Sequence, residues 1–301
     1  MGNVRDRAVD LAYAAGWSVA GAVPERLVRK SFSVLADQTW ARDGDGVRRL
    51  SSNLARVVDP NTSPAELAEL TRLSMQSYMR YWRETFSLAQ WSPEEILSRI
   101  HVVNPEVVQT LVEDDRGLVI ALSHSGNWDL GGAWLGIAHG AFTTVAERLK
   151  PEALFERFKA HRESLGMEIL AADGGPRVLA TMKTRLREGG IVCLLADRDL
   201  SGNGIPVNFF GAPAHFPAGP AALATSTGAA LLTVRFYYKG EQMAIEFDEP
   251  LREVLPPTAP RHDRIQVLTQ QMADAFQANI SAHPTDWHMM QPFWDEDRGL
   301  L

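Results

Sequence analysis

From Gly117 onward the chain alternates short apolar, β-rich runs with helical stretches, and this alternation limits its possible folds more than any other feature. GLVIALS precedes a helical stretch from about Asn127 to Ile137, FTTVA precedes one from Pro151 to about Leu165, and EILAA precedes one from about Arg177 to Arg187. IVCLLA then reads as a strand buried on both faces. Strands and helices of these lengths, taken in turn, give an α/β sheet covered by helices. ALLTVRFYY and QMAIEFD, separated by KGE, pair as a hairpin, and a last long helix spans roughly Arg261 to Ser281.

The first hundred residues read as helical. Leu67, Leu70, Leu73, Tyr78, Trp82 and Phe86 recur at helical spacing, and Ser63-Pro64-Ala65-Glu66 is a helix start with proline at the first position. No internal repeat or linker divides the chain, so residues 1–301 are expected as one domain with a helical N-terminal layer over about 1–100. A net charge of −7 disfavours a general nucleic-acid binder, whose footprint is basic. The single cysteine, Cys193, excludes an internal disulfide framework and reads as a core thiol inside IVCLLA.

Membrane contact is expected to be peripheral. The uncharged run Leu11 to Val23 is shorter than the roughly 20 apolar residues a bilayer span needs, and it lacks a basic leader. Residues 1–60 carry nine basic and seven acidic side chains, so the excess acid lies in the rest of the chain. With Trp17, Phe32 and Trp40 among those basic residues, an interfacial helical face and ordinary core aromatics are equally good readings.

The sharpest chemical signal is Ser123-His124-Ser125-Gly126-Asn127-Trp128-Asp129. His124 falls at the carboxyl end of a strand, where open α/β sheets place their ligands. A turn through Ser125 and Gly126 would let Asp129 fold back onto the imidazole, fixing its tautomer for proton transfer. Asp129 equally suits a helix N-terminus, with His124 a plain turn residue. Other chemistries lack support: there is no G-x-S-x-G elbow, and the eight histidines show no H-E-x-x-H spacing, so no metal is expected. FPAGPAALA could turn an amide-rich helix start toward an anion, although a tight turn into a buried helix explains it as well.

HSGNWD matches the H-x-x-x-x-D box of the glycerolipid and lipid A acyltransferases. TVAERLKPEALFERFKAHRESLGMEIL, LLADRDLSGNGIPVNFFG, FPAGPAALATSTGAALL and PTDWHMMQPFW extend the match, and together they resemble the phosphatidylinositol mannoside acyltransferases of mycobacteria. The resemblance implies a mostly parallel sheet flanked by helices and a peripheral enzyme at the cytoplasmic face of the plasma membrane. It implies acyl-CoA as co-substrate with no further cofactor, and transfer to a mannose hydroxyl of a mannosylated phosphatidylinositol. His124 matches the family's general base and Asp129 the acidic end of its box. Asp197 stands where the relatives carry a glutamate that pairs with the histidine, one methylene longer, and Asp199 is the rival in the same loop. Arg162 matches a functional arginine, which either contacts ligand or forms an ion pair with Glu147. Glu147, Arg148 and Lys150, after the second strand, are expected at the substrate. The amides of Ser125 and Gly126 are expected to face the oxyanion. WHMMQPFW suits either a lipid channel or plain core.

Overall fold

The computed structural model describes residues 23–148, 150–199, 202–252 and 254–299. Strand β2 (Leu118–Leu122) has all five side chains buried. A run covered on both faces belongs in the middle of a parallel sheet with helices above and below. Its neighbours β5 (Ile191–Leu195) and β8 (Ala230–Lys239) both run parallel to it. Beyond β5 come β3 (Phe142–Ala146) and β4 (Met167–Ala171), also parallel. Beyond β8 comes β9 (Gln242–Phe247), antiparallel, and then β1 (Ile100–Val103), parallel to β9. The seven-stranded order is β1-β9-β8-β2-β5-β3-β4. The expected α/β architecture with a mostly parallel sheet is the one observed.

Local chemistry sets the helix boundaries. Helices α1 (Glu25–Ala41), α2 (Asp45–Val57) and α3 (Pro64–Leu88) make up the N-terminal layer. Ser63 accepts from the Glu66 amide while Glu66 returns to the Ser63 amide, so α3 starts on a capping box with proline at its first turn. Short helices α4 (Pro93–Ser98) and α5 (Pro105–Glu113) flank β1. The crossovers are α6 (Trp128–His139), α7 (Glu152–Ser164) and α8 (Pro176–Arg187), and α9 (Gly219–Thr227) leads into β8. Helix α10 (Arg261–Ala282) closes one face.

Each face of the sheet has its own apolar layer. Val119, Ala121, Val192 and Leu194 pack with Leu50, Leu54, Met75, Leu186, Phe276, Trp287 and Trp294 on one side. Leu118, Ile120 and Leu122 meet Leu88, Ile96, Leu111, Leu130 and Leu135 on the other. A separate hairpin, β6 (Ile205–Phe209) and β7 (Ala212–Phe216), turns through Phe210 and Gly211, both at positive φ (50° and 75°). Gln270 of α10 holds it, donating to Asn208 O at 2.9 Å and accepting from Asn208 N at 2.9 Å.

Two strand regions depart from the reading of the sequence. Strand β1 extends the sheet beyond the expected β8–β9 hairpin, and the β6–β7 hairpin carries a proline in each strand. Prolines demote a run from strand in any sequence reading, yet they are tolerated in a two-stranded sheet that leaves edges unpaired. The aromatic residues of the N-terminal layer point inward. Phe32 lies 6.3 Å from Phe86, ring to ring, and Trp40 packs half-buried against the core, so neither forms an interfacial face. Trp17 and residues 11–22 lie outside the described residues. Among the described residues, no helix is long and apolar enough to cross a membrane.

Candidate active site

Strands β2 and β5 run side by side with Leu122 opposite Leu195, and Ala196 N–H donates to Leu122 O at 2.8 Å. This register brings their carboxyl ends together. His124 follows β2 by two residues and Asp197 follows β5 by two. Asp197 Oδ1 lies 2.5 Å from His124 Nδ1, and Asp197 Oδ2 accepts the His124 main-chain N–H at 2.9 Å. Trp287 Nε1 donates to the same Oδ2 at 3.0 Å. Asp197 is fully buried, and burial alone would raise its pKa. The charge and two hydrogen bonds of His124, with that of Trp287, outweigh burial and hold the carboxyl below its ordinary value. An ionised carboxylate only accepts, so Nδ1 carries a proton, and whenever the ring is neutral Nε2 presents a lone pair. The imidazole is 24% exposed, and Nε2 has no partner among the described residues. The arrangement can accept a proton at Nε2.

The shorter side chain at position 197 therefore reaches, because adjacent parallel strands bring the backbone close. Asp199 points elsewhere, accepting from Gly204 N–H at 3.0 Å and lying 3.8 Å from Arg298.

Asp129 is not the partner of His124, and the expectation that it orients the imidazole is corrected. Asn127 caps α6 through the Leu130 amide at 3.0 Å, which puts Asp129 in the first turn facing α3 and α7. There it is almost completely buried, accepting from Arg162 Nε at 2.7 Å and Tyr81 OH at 3.1 Å. Burial works against the Arg162 charge, but the Asp129 carboxylate more than compensates and raises its pKa. The alternative Glu147–Arg162 pair does not form.

The Ser125 and Gly126 amides are likewise not free for an oxyanion. Ser125 N–H donates to Ser123 O at 2.7 Å and Gly126 N–H to Asp286 O at 2.9 Å. Ser125 Oγ and Ser123 Oγ are 2.9 Å apart, bonded to each other. These residues shape the turn instead. Gly126 sits at φ +56°, where a Cβ would come within 2.8 Å of Phe236, so only glycine fits both the dihedral and the space. Of the three residues after β3, only Glu147 lines the cleft beside His124. Arg148 turns away to Asp173 (2.8 Å) and Glu152, and Lys150 is exposed outside the cleft.

The C-terminal WHMM segment carries groups that the sequence reading missed. Trp287 bridges Ser125 as a β-partner, and His288 N–H donates to His124 O at 2.8 Å, so the segment clamps the His124 turn. His288 Nε2 lies 2.9 Å from Ser77 Oγ, and Ser77 donates to Asp286 Oδ1 at 2.6 Å. Burial, with the His124 charge beside it, pushes the His288 imidazole down to about 3, which leaves it neutral. The only signal available was an aromatic cluster, which core packing explains equally well.

The cleft at His124 is walled by Tyr78, Tyr81, Trp82, Trp128 and Phe158, with Glu147, Arg162 and Arg198 among its polar groups. Trp128, Arg162 and Leu195 also border an apolar cavity of about 650 Å³, partly open, beneath α6. Its walls include Phe142, Met167, Cys193, Phe236 and Phe247. Gly131 and Gly132 keep it open on the α6 side; a Cβ there would come within 2.7 Å of Phe236 and 2.5 Å of Met167. Cys193 is the expected core thiol, its pKa raised by burial. Its apolar lining suits an apolar small molecule or chain.

Residues 3–296 match the family of bacterial lipid A biosynthesis acyltransferases. The chain is 42% identical over 290 residues to the phosphatidylinositol mannoside acyltransferase of Mycolicibacterium smegmatis, covering 96% of this chain and 92% of that protein. It is 43% identical over 299 residues to the protein of that name from Mycobacterium tuberculosis H37Rv, covering 98% and 91%.

Proposed function

The chain belongs to the family of bacterial lipid A biosynthesis acyltransferases, and on that premise we propose that it moves a fatty acyl chain, palmitoyl in particular, from acyl-CoA to a mannose hydroxyl of a mannosylated phosphatidylinositol. One observation carries the reading: the His124–Asp197 pair opens onto a cleft that shares Trp128, Arg162 and Leu195 with a partly open apolar cavity. An acyl tail in that cavity puts its thioester at the shared wall, within the reach of a hydroxyl held at His124.

His124 Nε2 takes the hydroxyl proton as the oxygen attacks the thioester carbonyl. The tetrahedral intermediate collapses with loss of the CoA thiolate, which receives the proton from the imidazolium. Asp197 holds Nδ1–H and stabilises the cation formed in between. Transfer is direct, since Ser123 and Ser125 bond each other rather than His124. Arg162 and Asp129 act as a buried brace between α6 and α7 at the cavity mouth. The enzyme works as a peripheral protein at the cytoplasmic face of the plasma membrane, and no metal or other cofactor takes part.

The test is a mass-spectrometric product assay with palmitoyl-CoA and mannosylated phosphatidylinositols. Wild type should yield the singly acylated product, and His124→Ala should lose about 10²–10⁴-fold in rate. Acylation of a lysophospholipid or lipid A precursor alone would move the acceptor elsewhere. Acyl-CoA binding without any product, or His124→Ala within threefold of wild type, would reject the mechanism.

A further inference from the structure

The cleft at His124 continues past it. Arg198 and Gln291 line that cleft and also a second branch, bordered by Asp197, which holds about 1060 Å³ of empty space, part of it open to solvent. His215, Phe293 and Arg298 stand on its other walls. The acids here already have protein partners. Asp197 holds His124 and Trp287, and Asp199 takes Gly204 N–H and Arg298. Asp297 lies 2.8 Å from Arg49, and Asp295 Oδ1 is 2.7 Å from His215 Nδ1.

Arg198 differs from every one of them. It is half-buried, yet among the described residues it has no hydrogen bond and no ion pair. A guanidinium drawn partly out of water without a carboxylate is unfavourable, and an arriving anion relieves that cost. His215 adds a direction. Its Nδ1 pairs with the buried Asp295 carboxyl at 2.7 Å, which leaves Nε2 of the ring for a hydroxyl group.

We propose that this branch is a subsite for a phosphate ester with a neighbouring hydroxyl, Arg198 gripping the phosphate through two parallel N–H bonds and His215 Nε2 accepting from the hydroxyl. The subsite rests on the acyl transfer proposed above, whose two substrates both carry this chemistry. CoA has phosphates on ribose, and the acceptor has a phosphodiester on inositol. Either source fits the residues, and the experiment separates them.

CoA, 3′-dephospho-CoA and glycerophosphoinositol are titrated separately into the full chain and into Arg198→Gln, Arg198→Lys and His215→Gln, with no turnover required. Losing a charged bidentate contact should weaken one of CoA or glycerophosphoinositol about tenfold or more in Arg198→Gln. Arg198→Lys should recover part of the loss, and His215→Gln should show a smaller one. A loss confined to glycerophosphoinositol assigns the phosphate to the acceptor, and a loss confined to CoA assigns it to the donor. In the second case, 3′-dephospho-CoA tells the ribose phosphate from the diphosphate. Affinities within twofold of wild type for both ligands in Arg198→Gln and His215→Gln overturn the subsite. So does a wild type that binds neither ligand, and so does a fall in kcat with unchanged affinities. A wild type that binds as expected yet transfers no acyl chain counts against the functional reading alone and leaves the subsite in place.

Discussion

The side chain on which most of the site depends is Asp197, which accepts three hydrogen bonds with no exposed surface. Asp197→Asn keeps its size but removes the charge that fixes Nδ1–H on His124, so kcat should fall by about 10²-fold or more while acyl-CoA affinity changes little. Asp199→Asn should cost far less, because its partners are Gly204 and Arg298 rather than the imidazole. Steady-state kinetics on both variants checks this, and the opposite ranking would assign the dyad to the wrong aspartate. His124 was legible from its strand-end position, and Asp197 only by resemblance. The Asp129–Arg162 pair was not legible, since five-residue spacing through a turn says nothing about which way a carboxylate points once a helix cap is set. Trp287 was illegible for a different reason: it lies 163 positions after His124, and no local pattern announces such a contact.

Among the elements, the central strands were the easiest to read. β2 and β5 are covered on both faces and so appear as unbroken apolar runs, whereas β1 has four residues and β6 and β7 alternate around prolines. Helix α1 corrects the reading of its own face. Its aromatics turn inward, and what it leaves exposed is an aliphatic stripe of Leu27 (57% exposed), Val34 (47%) and Leu35 (42%). These α1 residues fall at helical repeats seven and eight apart, with Arg26 and Lys30 along one flank. Arg29 is already engaged by Glu25 and Glu241. If this stripe meets the membrane, Leu27→Gln with Leu35→Gln should reduce liposome flotation at all salt concentrations. Neutralising Arg26 and Lys30 should reduce it mainly at low salt and only on anionic lipid. Flotation unchanged in both variants would place attachment on another surface.

At the scale of the whole molecule, the buried imidazoles tie stability to acid. His288 is held near 3 by burial, and burial lowers His161 as well. Both take up protons near pH 6.5 only when the chain unfolds, so their contribution is complete above that pH and is lost as pH falls. For His288 alone the loss should reach about 2 kcal/mol at pH 5. Asp286 works in the opposite sense, since burial raises its pKa. Urea unfolding from pH 7.5 to 5 should therefore show stability falling with pH, and His288→Asn should flatten the slope by close to one proton. An unaltered slope in that variant would show that His288 is not held neutral in the folded protein.

The clamp made by residues 284–294 bears on how the enzyme comes into being. A ribosome emits His124 and then Asp197 long before Trp287, so a nascent chain owns both members of the pair while the turn that aims them is still loose. Gly126, Ser125 and the His124 carbonyl all wait for partners at 286–288. Domains generally acquire structure in the order they are synthesised, and here the segment that fixes the His124 turn follows both members of the pair. A copy truncated before residue 284 would keep His124 and Asp197 yet lack the partners of the Gly126 N–H, of Ser125 and of the His124 carbonyl.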